Sequence, residues 1–70
     1  MEMTRIENSS NVAAVGYDGN SDTLQVEFHN GGTYQYFDVP EPLFESLRDA
    51  DSVGSFLAEH IKGSYRYSKV

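Results

Sequence analysis

The sequence predicts an α+β domain: a small antiparallel sheet of about four strands with two short helices packed on one face. Three observations carry that prediction. Residues 23–29 alternate strictly, apolar at even positions and polar at odd ones, which is the pattern of a half-buried strand. His29-Asn30-Gly31-Gly32 follows at once and has the chemistry of a hairpin turn. Further on, apolar residues recur at helical spacing, first Leu43, Phe44 and Leu47, then Val53, Phe56, Leu57 and Ile61.

Taken in order, residues 1–8 read as a polar lead-in, and residues 9–70 as one domain. Ser9-Ser10-Asn11 marks the entry, and 12–17 reads as the first strand. Asp18-Gly19-Asn20-Ser21-Asp22 is a turn cluster whose members tolerate positive φ or bond their own backbone. The strand at 23–29 then meets its partner at 32–37, and hydrophobic parity fixes their register. A two-residue Asn30-Gly31 turn would set Tyr34 opposite Glu27. A three-residue loop with Gly31 left-handed sets Val26 opposite Tyr34 and Leu24 opposite Tyr36. Only the second gathers Leu24, Val26, Phe28, Tyr34 and Tyr36 on one face, and a one-residue slip would turn a whole set to the wrong side. Asp38-Val39-Pro40-Glu41 has the form of a capping box, with Asp38 as N-cap of a helix near 40–50. Ser52 can cap a second helix over 53–62, which Gly63 would stop. Tyr65-Arg66-Tyr67 alternates again, so 64–68 reads as a final strand. The expected core is Leu24, Val26, Phe28, Leu43, Phe44, Leu47, Phe56, Leu57 and Ile61.

Composition narrows the function. Seventy residues make one small domain, and the absence of cysteine excludes disulfides, thiolate metal cages and a cysteine nucleophile. Five Tyr and four Phe must then supply much of the buried area. With five basic residues against eleven acidic, the net charge of −6 argues against a general nucleic-acid binder. The charge is uneven: residues 1–61 hold all the acids against Arg5 and Arg48, for −9, while 62–70 hold Lys62, Arg66 and Lys69, for +3. No stretch approaches membrane-spanning length, and no targeting segment is expected. A complete, monomeric, cytoplasmic protein is the expectation.

No catalytic site or cofactor is expected. The two histidines, His29 and His60, stand in no metal-ligand spacing, and a metal needs three or four converging ligands. No serine sits in a Gly-x-Ser-x-Gly elbow, and the glycines form no phosphate-cradling loop. Glu41, Glu45 and Asp49 recur at helical spacing, as a solvated helix face requires.

Two groups of residues remain as candidates for binding. Tyr34 and Tyr36 point to one side of a strand, either as core residues with their hydroxyls at the rim or as a platform on which bases stack. Burial is the stronger reading in a domain short of aliphatic mass. Lys62, Tyr65, Arg66, Tyr67 and Lys69 interleave cations with rings, a combination suited to single-stranded nucleic acid. The stronger reading is that the same cations guard an edge strand against pairing with other chains.

The order Ser9-Ser10-Asn11-Val12, Gly16-Tyr17-Asp18, Leu24-x-Val26-x-Phe28, Gly31, Tyr34-x-Tyr36, Val39-Pro40 and Ile61-Lys62-Gly63-x-Tyr65 resembles the KTSC domain over residues 9–70. That family is named for a C-terminal appendage of some lysyl-tRNA synthetases and also occurs as small stand-alone bacterial proteins. The resemblance implies a small domain with a central Tyr-x-Tyr, no established catalytic residues, and RNA binding suggested by the synthetase context. Members commonly carry an Asn after the aromatic of the second helix, where this chain has Leu57 after Phe56. Two functions follow as expectations: a protein-interaction module using the acidic surface or an open sheet edge, favoured by the charge, and a weak RNA-binding accessory domain using the C-terminal strip.

Overall fold

The computed structural model describes residues 1–70. Seven elements follow in order: β1 (Met3–Arg5), β2 (Val12–Asp18), β3 (Thr23–Phe28), β4 (Thr33–Tyr36), α1 (Glu41–Arg48), α2 (Val53–His60) and β5 (Tyr67–Lys69). The strands form one antiparallel sheet in the order β1-β2-β3-β4-β5, with both helices inserted between β4 and β5. The α+β class is as expected, with five strands rather than about four.

The hairpin register follows parity. Leu24 lies opposite Tyr36 and Val26 opposite Tyr34. The Phe28 amide donates to the Gly32 carbonyl at 2.8 Å, the Gly31 amide to the Phe28 carbonyl at 3.0 Å, and Gly31 has φ +94°. Only a residue without a Cβ takes that φ at no steric cost.

The extra strand, β1, lies within the residues read as a lead-in. Met3-Thr4-Arg5 has no apolar alternation to announce it, and its place is set by β2 instead. Met3 pairs with Gly16, where a Cβ would stand 2.7 Å from the Glu2 carbonyl oxygen. Glycine at position 16 therefore lets the N-terminal segment close on the sheet, and Ile6 joins the core behind it. In β2 the register shifts between Val12 and Ala14. That bulge turns Val12 and Val15, three positions apart, to the same buried face, which strict alternation would forbid.

The start of α1 differs from the capping-box expectation. Its N-cap is Pro40, with no side-chain cap bond, and Asp38 has φ +60°. Burial of Val39 decides this: Val39 is fully buried and its amide bonds the Asp22 carbonyl at 2.9 Å, so Asp38 stands outside the helix. The Pro40 carbonyl accepts from Leu43 and Phe44, and Pro42 sits in the first turn, where a missing N–H costs nothing. Ser52 does cap α2, its hydroxyl accepting from the Ser55 amide at 3.3 Å. The chain leaves α2 through Gly63, at φ +84°. The last strand begins at Tyr67, so Tyr65 and Arg66 precede it rather than belong to it.

Both helices cover one face of the sheet. Val12, Val15, Leu24 and Val26 meet Leu47, Val53, Leu57 and Ile61 in a core from which water is excluded. Of the expected core residues, Phe28, Leu43 and Phe56 are only half-buried and pack against its margin. Val12, Val15, Val39 and Val53, small and β-branched, take the interior places in their stead. The opposite face is polar, with Gln35 donating to Gln25 at 2.8 Å. No helix is long and apolar enough to cross a membrane.

Candidate functional site

The helices do not reach the far end of the face they cover. Beyond α2, the face-in residues of β4 and β5 are left as the wall of an open groove of about 520 Å³, lined by Phe28, Asn30, Tyr34, Tyr36, Lys62, Gly63 and Tyr67. The sheet register aims these rings. Tyr34 lies opposite Val26 and Lys69, and Tyr36 lies opposite Leu24 and Tyr67. Alternation along each strand therefore brings Tyr34, Tyr36 and Tyr67 to one side.

The rings form a connected surface. Phe28 meets Tyr34 edge-on, with centroids 5.6 Å apart and planes at 85°. Tyr67 lies 5.8 Å from both Tyr34 and Tyr36. The Lys62 ammonium stands 5.3 Å from the centre of the Phe28 ring, within cation–π range. Tyr36 is 3% exposed, whereas Tyr67 is 61% exposed. Burial pushes the Tyr36 phenol above its ordinary value, and the neighbouring Tyr34 and Tyr67 phenols add to the shift. Tyr36 thus stays a neutral O–H donor across the physiological range. No buried side-chain oxygen or nitrogen lacks a partner, and the Tyr36 hydroxyl pairs with no protein atom, so its oxygen opens on the groove.

The candidate residues divide between the groove and its surroundings. Lys62 and Tyr67 come together with Tyr34 and Tyr36, so the tyrosine pair and part of the C-terminal strip form one site. Lys69 is on the same face by register, opposite Tyr34, but outside the groove. Tyr65 is half-buried against the core margin. Arg66 turns away: its guanidinium bonds Asp38 at 3.0 Å and stands 5.4 Å from the Phe37 ring. Phe28, Asn30 and Gly63 complete the groove, although sequence assigned them structural places and no binding role. Phe28 shares the parity of Tyr34 and Tyr36, a signal that was present; Asn30 at a hairpin tip gave none.

A smaller and more polar depression adjoins this one, lined by Ser10, Asn11, Phe28, His29, Asn30 and Lys62. Here the Ser9 hydroxyl accepts from the amides of Asn11 and Val12, at 3.2 and 3.0 Å. The Asn11 carbonyl in turn accepts from the His29 amide at 2.9 Å, which fixes the loop before β2 against the hairpin. His29 Nε2 lies 3.2 Å from the Ser9 carbonyl, and the His60 ring lies 4.5 Å from Phe56. Nowhere do three or more His, Asp or Glu side chains converge as metal ligands would.

Relatives of this chain share its length in some cases and only a segment in others. Residues 8–65 match the KTSC domain. A KTSC domain protein from Yersinia pestis, solved as a crystal structure, superposes with a TM-score of 0.94 at 33% identity, over 99% of this chain and 96% of that one. An uncharacterised protein from Stutzerimonas stutzeri is 36% identical over 63 residues, which is 89% of each chain. A lysine–tRNA ligase from Trichormus variabilis is 37% identical over 54 residues, but the chain spans only 10% of that enzyme's length. The family match over residues 8–65 and the superposition over 99% of the chain agree, and the chain belongs to the KTSC domain family.

Proposed function

We propose that this domain is a non-catalytic binding module that holds unpaired RNA weakly in the tyrosine groove. One observation carries the reading. The groove joins four rings to the Lys62 ammonium, and no carboxylate lines it, in a chain with eleven acidic residues. An acidic body that keeps its acids out of one aromatic depression suits an anionic ligand with flat rings. The matching segment within lysine–tRNA ligases, enzymes named for a reaction on tRNA, supports the same choice. The scale is modest. Stacking supplies about 1–3 kcal/mol per base, and one groove cation neutralises about one phosphate. Such affinity is useful where the domain is tethered to, or assembled with, a larger RNA-binding partner.

The open edge of β5 favours a second reading, in which a protein partner adds a strand there. All three of its residues are exposed, and only β4 pairs with it. Sequence alone placed a protein partner ahead because of the charge; we place RNA first because no carboxylate lines the groove.

Titration of a short unstructured oligouridylate at low salt, followed by backbone amide shifts, tests the choice. Shifts centred on Phe28, Tyr34, Lys62 and Tyr67, lost in Lys62→Glu and retained in Arg66→Glu, are expected. No shift at low salt, or shifts confined to residues 67–69 with a bound protein instead, would overturn the RNA reading.

A further inference from the structure

The groove and the polar depression beside it share Phe28, Asn30 and Lys62, so they adjoin as two compartments within reach of one ligand. Their chemistry differs sharply. The first is walled by rings; the second offers the Ser10 hydroxyl, the Asn11 and Asn30 amides, and the His29 ring. We infer that this polar compartment is a phosphate subsite, so that the site takes one nucleotide unit, its base against Tyr34 and Tyr67 and its phosphate between Lys62, Asn11 and Asn30. The inference rests on the RNA reading of the groove and adds the position and polarity of the ligand.

His29 Nε2 already faces the Ser9 carbonyl at 3.2 Å, but the lysine and the two asparagine amides around the polar compartment are unclaimed donors. Lys62 makes no ion pair; the two pairs in the molecule join Arg48 to Asp49 and Arg66 to Asp38. The Asn30 side-chain oxygen accepts from the Gly32 amide at 3.0 Å, which leaves its NH₂ group free to donate. Asn11 has its backbone bonded on both sides while its side-chain amide pairs with nothing. A carboxylate, the usual partner of a lysine on so acidic a surface, is absent from this compartment as from the first. Cation, amide donors and hydroxyl without a competing anion match the acceptor oxygens of a phosphate. The C-terminal end of α2, two residues before Lys62, offsets part of the lysine's field, so the gain should be small.

Uridine, uridine monophosphate and a pentauridylate, each titrated into the intact chain with amide shifts recorded, separate the possibilities. The monophosphate should bind about three- to ten-fold more tightly than uridine, the range set by one exposed charge contact and one or two charge-assisted hydrogen bonds. It should also shift Ser10 and Asn11, which line the polar compartment alone and which uridine leaves unmoved. Asn11→Ala, whose backbone bonds are retained, should remove that preference while leaving uridine binding intact. If the pentauridylate alone moves Ser10 and Asn11, the subsite stands with a strand phosphate as its occupant. Equal binding of uridine and its monophosphate, with all shifts confined to Phe28, Tyr34 and Tyr67 for every ligand, would overturn the subsite and spare the groove. Silence from all three ligands would overturn both.

Discussion

Tyr17 and Tyr36 lie in one row across the sheet, on the same face, with Leu24 between them. Their hydroxyls meet opposite fates. At the helix-covered end, the Tyr17 ring stacks on Phe44 of α1 with centroids 5.2 Å apart. Its hydroxyl reaches the Val39 carbonyl and lies 3.0 Å from an Asp22 carboxylate oxygen. Asp22 also accepts the Val39 amide, so this one tyrosine ties the β2–β3 turn to the entry of α1. At the other end Tyr36 is more deeply buried, yet its hydroxyl is bonded to nothing in the protein. One tyrosine closes the structure and the other is left available to a ligand. Parity treats them alike; the difference comes from where the helices stop.

The largest effect should fall at the shared centre of the row. Leu24→Ala removes a fully buried side chain under both helices and should cost about 2–5 kcal/mol. Denaturant unfolding would measure it, and a loss below about 1 kcal/mol would mean that the helices do not seal that position.

Tyr17→Phe comes next. It strips the buried Val39 carbonyl of a donor and should cost about 1–2 kcal/mol. The same residue sets an alkaline limit. Burial, helped by the Asp22 hydrogen bond and negative charge, pushes the Tyr17 phenol up from 10.0 to about 12. A raised folded value means that the neutral form is favoured in the native state. The resulting stability is complete below the unfolded value and is lost as pH rises from 10.0 to about 12. Melting temperature against pH should therefore fall over that window, and less steeply in Tyr17→Phe. Tyr36, shifted in the same direction, keeps part of the slope.

Gly31→Ala should cost about 1 kcal/mol, through the positive φ alone, since nothing stands near the added methyl. An unchanged stability would mean that the hairpin has another turn available and that register is less tightly set than parity demands. Tyr67→Ala should change stability least, within about 0.5 kcal/mol, because the ring is largely exposed. It should nonetheless abolish most oligonucleotide binding. A large stability loss there would make the groove an extension of the core and erase the contrast between the two ends.

What sequence revealed and what it hid divide along the range of the interactions involved. The β3–β4 register was legible because alternation and turn chemistry are local, and a slip would have exposed Leu24 and Val26. The cap at Ser52 was legible for the same reason. β1 was not, because Met3-Thr4-Arg5 becomes a strand only against Gly16, eleven or more residues away. The capping role given to Asp38 failed because burial of Val39, bonded to Asp22, outweighed a local motif.

The candidate site shows the same division. Sequence by itself determined that Tyr34 and Tyr36 share a face, that Lys62 follows the second helix, and that the only cluster of cations is C-terminal. It could not say that Tyr67 would join those tyrosines, since one step of strand register decides which side a residue takes, or that Arg66, just before the strand, would pair with Asp38. Nor could it gather Asn11 and Asn30 beside Lys62. That meeting depends on two loops and the end of a helix coming together, and only the packed tertiary structure holds them there.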